Sequence, residues 1–287
     1  SSITNDSFEL GVQLIKLAGI LGPGLSLDDL VRLTELLLGI LETGAYWELR
    51  EESAKTLGIF AALLPEGELY KLFSPLSSIL RGKTWYARLI SMFSKDWDTR
   101  LSEKNKDQAV RAGAADVLRV VGARLPVKKL AGLIALFLKV LRDPSNKWYL
   151  HASAGRAVSE IGLKLVKEKR FKLIKVLLEA SVIIPYGERW HQKTRDKYSL
   201  ERMHAEIHKT LVTLILSLSY DERSQQISII IFLRENAKGN TRAILTRIVG
   251  NLAQFVPGGK RPALVDSLLV DLKDPLDVLR ASAAEAL

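Results

Sequence analysis

One octet returns through this chain. It reads Arg111-Ala112-Gly113-Ala114-Ala115-Asp116-Val117-Leu118 in one place and Arg280-Ala281-Ser282-Ala283-Ala284-Glu285-Ala286-Leu287 in another. In both, an Arg opens the run, small residues fill +1 to +4, and a Leu closes it at +7. Degraded copies begin at Arg50, His151, His204 and Arg242, so that successive anchors stand 61, 40, 53, 38 and 38 residues apart. A unit of about 38–40 residues, twice lengthened by an insertion, is the pitch of a two-helix element that stacks on copies of itself. The small residues let neighbouring helices approach, and the Leu, Ile and Val between them fill the layers.

Composition agrees with such a chain and excludes some chemistries. With 47% hydrophobic and 26% charged residues it is ordinary for a folded protein. Most of the 9 prolines separate periodic segments, as they do between helices. There is no cysteine, so disulfides and thiolate metal sites are excluded and redox chemistry gives no compartment. No apolar run approaches the ~18 residues of a membrane span. The opening Ser1-Ser2-Ile3-Thr4-Asn5-Asp6 is neither a signal nor a transit segment, and it lacks Met. We therefore expect an intracellular protein, cytoplasmic or nuclear, and a processed or partial chain.

The net charge of +10 is unevenly placed. Residues 1–74 hold 5 Lys and Arg against 11 Asp and Glu; residues 75–287 hold 37 against 21. A basic later part favours an acidic partner: nucleic acid, an acidic protein surface or anionic lipid.

Leu10, Leu14, Leu17 and Leu21 give residues 8–21 a helical stripe, the mark of a second helix whose own partner lies upstream or is missing. Further helices are expected from Asp28 to Leu41, Trp47 to Leu64 and Glu66 to Arg81, the last interrupted at Pro75. Then come 108–125, 127–142, 146–166, 169–184, 201–219, 221–237, 240–256, 261–273 and 276–287. No alternating run is long enough for a sheet.

The segment Leu272-Lys273-Asp274-Pro275-Leu276-Asp277-Val278-Leu279-Arg280, followed by its small residues, resembles the HEAT repeat family. Leu141-Arg142-Asp143-Pro144 with His151 is similar, with two extra residues and His in place of Arg. The resemblance implies an all-α, right-handed superhelix of about six to seven two-helix units forming one domain over 1–287. It also implies a ladder of charged hydrogen bonds between turn Asp and helix Arg of neighbouring units, with Asp274 and Arg280 in full match. Arg111, Arg242 and Arg280 are then structural. An array ending at Leu287 without a polar cap suggests further repeats or another subunit beyond it. The family's members are scaffolds, so the motif speaks for fold far more than for function.

The insertions, at 83–106 and 186–200, both fall between the two helices of a unit and so on one edge of the stack. Long loops are where function concentrates. In the first, Trp85, Leu89, Phe93 and Trp97 follow a helical stripe, consistent with an extra amphipathic helix. Its aromatic and basic side chains Lys83, Trp85, Arg88, Lys95, Trp97 and Arg100 equally form a platform for an acidic partner. The second has no apolar period and offers Arg189, Trp190, Lys193, Arg195 and Lys197 as a contact loop. A further basic run extends from Lys164 to Lys175.

Catalytic signals are weak. Gly82-Lys83-Thr84 lacks the earlier Gly of a phosphate loop. His204 and His208 stand at i, i+4 but no third metal ligand is evident. Trp97-Asp98 resembles the catalytic neighbourhood of HEAT-like alkylpurine DNA glycosylases, without matching surroundings. The expectation is a non-catalytic scaffold, needing no cofactor or metal, that binds an acidic protein through its second-helix face and the two insertions.

Overall fold

Why the octet recurs becomes visible where its helices meet. The structure is a computed structural model and describes residues 2–43, 46–82, 97–143, 146–183 and 197–287. Among these residues there are thirteen α-helices, three short 3-10 turns and no strand. The chain divides into two units, Ser1–Lys164 and Leu165–Leu287.

The first unit holds α1 (Ser2–Leu21), α2 (Leu27–Thr43), α3 (Trp47–Leu63), α4 (Glu66–Leu80), α5 (Trp97–Arg124), α6 (Val127–Arg142) and α7 (Trp148–Gly162). Helices α1, α3, α5 and α7 pack side by side as one layer, while α2, α4 and α6 each pack against the helix that follows. The core between the layers is apolar: Leu57 and Phe60 of α3, Leu72 and Leu76 of α4, Leu118 of α5 and Phe137 of α6 are buried. The small residues decide the spacing within the layer. A Cβ built on Gly113 of α5 would stand 2.5 Å from the Cβ of Ala54 on α3, so a larger side chain would wedge these helices apart.

Local signals set the helix ends. Ser26 caps α2 by accepting the Asp29 N–H at 3.2 Å, and Asp28 and Asp29 favour the positive end of the helix dipole. Pro65 and Pro126 stand extended immediately before α4 and α6. Helix α4 runs on through Pro75 instead of breaking there. The carbonyl that loses its partner belongs to Lys71, an exposed residue, where water can take its place. Helix α5 begins at Trp97, not at 108, so the end of the expected insertion is the start of a 28-residue helix. Residues 97–107 are polar and show no apolar period, yet contain neither Gly nor Pro and are rich in helix formers.

The anchors of the octet in the first unit stand at helix ends. Arg50 Nε donates to the carbonyl of Leu41 at 2.9 Å, near the end of α2. Arg111 Nε donates to that of Leu80 at 3.0 Å, the last residue of α4. The His151 ring stands 3.1 Å from the carbonyl of Asp143, just after α6. Arg50 and Arg111 each supply a donor to the carbonyl-rich end of the preceding helix, and His151 does so as its Nε2–H tautomer. A second series serves the other layer. Arg124 donates to the carbonyl of Ala61 at 2.9 Å, at the end of α3, and Lys164 to that of Leu125 at 3.2 Å, at the end of α5.

The second unit holds α8 (Lys167–Ile183), α9 (Lys197–Leu216), α10 (Tyr220–Glu235), α11 (Gly239–Asn251), α12 (Arg261–Asp271) and α13 (Asp277–Ala286). Helices α8 and α9, α10 and α11, and α12 and α13 pack as pairs. Helix α9 starts at Lys197, so the expected loop at 186–200 gives its last residues to a helix. Ser219 and Glu222 form a capping box at the start of α10. Arg280 donates to the carbonyls of Asp274 at 2.8 Å and Pro275 at 3.0 Å, and pairs with Asp277. The Asp274 carboxylate accepts the N–H of Leu276 at 2.9 Å. These bonds close a turn within one hairpin, correcting the expected ladder between neighbouring units.

A buried charge cluster ties three elements of this unit together. Arg234 of α10 is fully buried; it donates to Thr246 Oγ1 on α11 at 2.8 Å and Ser267 Oγ on α12 at 2.9 Å, and pairs with Asp271. Arg242 of α11 pairs with the other Asp271 oxygen at 2.8 Å. Arg242 thus has a structural role, made across hairpins and not in its own turn.

Candidate partner-binding groove

In the first unit the layer of second helices is closed by small residues facing one another. The contact between Ala54, at +4 of its octet, and Gly113, at +2 of the next, sets the register. The corresponding pair between α11 and α13 is Thr246 and Ser282, and these helices also pack closely. A Cβ on Gly250 would stand 2.8 Å from the Cα of Ala286. Between α9 and α11 the register places His208 opposite Ile244, two large side chains, and the two helices barely touch. There the layer opens into a groove of about 500 Å³.

Helix α9 lines the groove with Ala205, His208, Lys209 and Thr213, residues at i, i+3, i+4 and i+8 and so on one face. Helix α11 contributes Arg247, Gly250 and Asn251, and α13 contributes Glu285. The His208 side chain is nearly buried while Lys209 is exposed. Arg247 Nε lies 3.2 Å from a carboxylate oxygen of Glu285, which is itself 63% exposed. Two cations thus share the lining with Ala205 and Val212, with one solvent-facing carboxylate on Arg247.

The same face of the first unit has its cations paired. Arg119 of α5 bonds Glu160 of α7 at 2.5 Å, Arg156 lies 3.2 Å from Asp116, and Lys55 lies 3.1 Å from Glu51. This unit has a cleft of its own, of about 360 Å³, at the junction of α4, α5 and α6. Asp107, Gln108 and Arg111 form its floor, with Arg81 and Lys139 among its lining. Burial pushes the Asp107 carboxyl above its usual range, although Arg111 and Arg50 oppose the shift. Burial likewise lowers the Arg111 guanidinium and raises the Tyr149 phenol to about 12. His151, buried beneath, is lowered to about 4 by desolvation, against the pull of two backbone carbonyls. The ion pairs and the anchor Arg111 give this region a structural task before any other.

The residues expected to make contact fall mostly elsewhere. Lys83, Trp85, Arg88 and Lys95 lie outside the described residues, as do Arg189, Trp190, Lys193 and Arg195. Trp97 and Arg100 stand in the first turn of α5, and Lys197 opens α9; their side chains are not among those described. Of the basic run, Lys169, Lys172 and Lys175 are exposed on α8, whereas Arg170 caps the carbonyl of Leu165 at 3.0 Å and Lys167 pairs with Glu222. Among the described residues no group of three or more His, Asp or Glu side chains could hold a metal ion, and no helix is long and apolar enough to cross a membrane.

Reading the sequence missed His208, Lys209 and Arg247 as a group. The signal is present: the copy at His204 carries Ile207 and His208 where the full octet has small residues, and Lys209 where it has an acid.

No family model matches the chain, and no curated protein matches it. Among solved structures, it is similar to an engineered protein from a structural genomics consortium. The two are 15% identical over 90% of this chain and 95% of that one, with a TM-score of 0.38. A likeness of that size carries no argument.

Proposed function

We propose that the chain is a non-catalytic helical-repeat scaffold of the HEAT type, with its hairpins stacked as a right-handed solenoid, and that it holds an acidic protein segment in the groove between α9 and α11. The observation that carries the reading is the groove itself: the second-helix layer opens at the one step of this unit where bulky residues replace small ones, and Lys209 and Arg247 line the opening. An incoming carboxylate can replace Glu285 on Arg247 while a second meets Lys209. The groove's polar rim and small apolar floor suit a peptide segment.

The test uses a fluorescent, Glu- and Asp-rich peptide of helical pattern and reads its anisotropy. Lys209→Glu with Arg247→Glu is expected to weaken binding at least ~10-fold, the loss usual for two charge contacts. Undetectable binding to the parent chain at low salt removes the proposal.

A nucleic-acid reading draws on Lys169, Lys172 and Lys175, which follow at i, i+3 and i+6 on α8 and have no ion pair among the described residues. Phosphate contacts would make single-stranded or duplex binding fall steeply with salt. Lys172→Glu would then weaken nucleic acid and leave the acidic peptide unaffected.

A further inference from the structure

Helix α1 presents two unlike faces. One carries Gly11, Ile15 and Gly19 and packs on α3: a Cβ on Gly11 would lie 3.3 Å from Leu49, and one on Gly19 would lie 3.3 Å from Ile59. The other carries Leu10, Leu14, Leu17 and Leu21, which are 60%, 56%, 48% and 52% exposed, with Ile20 beside them at 75%. Steps of four, three and four residues are those of a coiled-coil seam, narrower than the stripe of a helix laid on a core. From the α3 face the seam lies about 130° round the helix, so the two can be occupied together.

We propose that this seam pairs with the same seam of a second copy of the chain, antiparallel, about a two-fold axis between positions 15 and 16. The proposal is independent of the acidic-partner reading. Three properties of the seam point to a second copy over any other occupant. It reads the same in both directions, since reversal carries Leu10 onto Leu21 and Leu14 onto Leu17. A two-fold contact requires this self-complementarity. It is free of charge: Lys16 is the only charged residue from Leu10 to Leu21, and it lies off the seam. Nothing in it repels a copy, and it lacks the cationic flanks that would take a helix to a lipid surface. Lastly, closing both seams removes on the order of 1,000 Å² of surface from the two copies, near the lower bound for a specific interface. Three turns of helix could not order themselves for such a contact alone, but α1 is already held on α3 and the ordering cost falls away.

Sedimentation velocity on the whole chain over a concentration series tests this. A concentration-dependent dimer is expected. Leu14→Asp with Leu17→Asp should weaken it by at least about 100-fold, as loss of a central apolar anchor does. The circular dichroism should stay unchanged, because both positions are exposed. Leu36→Asp on α2, also exposed at 58%, should dimerise like the parent. Because the chain has no cysteine, orientation can be read by crosslinking. A mixture of Leu10→Cys and Leu21→Cys chains should join across the axis, while Leu10→Cys alone should not. A chain that stays monomeric, a dimer that survives the double Asp substitution, or ready crosslinking of Leu10→Cys to itself would each overturn the proposal.

Discussion

The second-helix layers of the two units differ at one step. In the first unit α3 and α5 meet across Ala54 and Gly113, and the layer continues closed into α7. In the second unit, at the step from α9 to α11, the octet register puts His208 and Ile244 at the corresponding positions, and a groove opens between the helices. Both arrangements come from one octet, filled differently at +2 and +4. The contrast shows how a repeat makes a groove without a new element: two positions grow, the helices stand off, and the side chains of the next turn line the space. It also separates two uses of charge, since the first unit pairs its cations on the surface and the second has a paired cluster inside.

The buried cluster gives the largest expected effect. Asp271→Asn leaves Arg234 and Arg242 without their shared carboxylate, and should cost about 3–5 kcal/mol in urea unfolding. The exposed pair in the first unit should behave oppositely: removing it with Arg119→Ala should cost under about 1 kcal/mol. If the two substitutions cost the same, the division between inner and surface charge fails.

Next in size is a pH effect confined to the first unit. His151 takes its proton near pH 4 in the fold, against 6.5 for a free imidazole. Between these values the unfolded chain binds more protons, so stability should fall as pH drops from 6.5 to 4 and lose nothing more from this group below 4. The full loss is about 3 kcal/mol. His151→Arg, charged in both states, should remove the step. A parent chain with no pH-dependent loss in this window would show that the imidazole is charged in the fold.

The closed layer is probed by Gly113→Val, which places methyl groups where Ala54 already stands and should cost about 1–3 kcal/mol. Thr213→Val at the open step should stay within about 0.5 kcal/mol, since the groove has room for it. Equal costs at both sites would mean that the groove is not open in solution. Arg124→Ala, which leaves the end of α3 to water, should cost about 1 kcal/mol by thermal unfolding.

Much of this fold was legible in the octet. The order and type of nearly every described helix followed from the apolar period and the prolines, and small residues at a fixed step implied helices in close contact. What escaped was whatever lacked an apolar period. From Trp97 to Asp107 the chain is rich in helix formers but has no apolar period running into 108, so the insertion reads as a separate segment and not as the first turns of α5. The anchoring Arg was read as one rung of a ladder between units, whereas Arg50, Arg111 and Arg280 each cap a backbone carbonyl in the turn before them. Side chain to backbone bonds leave no partner to find in the sequence. The groove was hidden for a different reason. Length singles out the two insertions, whereas the groove arises at positions of unchanged length where a small residue has become large.

The capping arginines bear on how a chain like this could be altered. Many of its guanidinium groups are turned inward onto peptide oxygens, so the formal +10 overstates the charge presented to solvent. Anyone neutralising basic residues to curb non-specific adhesion would, on striking Arg50 or Arg111, uncork a helix long before making the molecule less sticky. The residues safe to exchange are Lys169, Lys172 and Lys175 of α8, which are exposed and cap no helix end among the described residues.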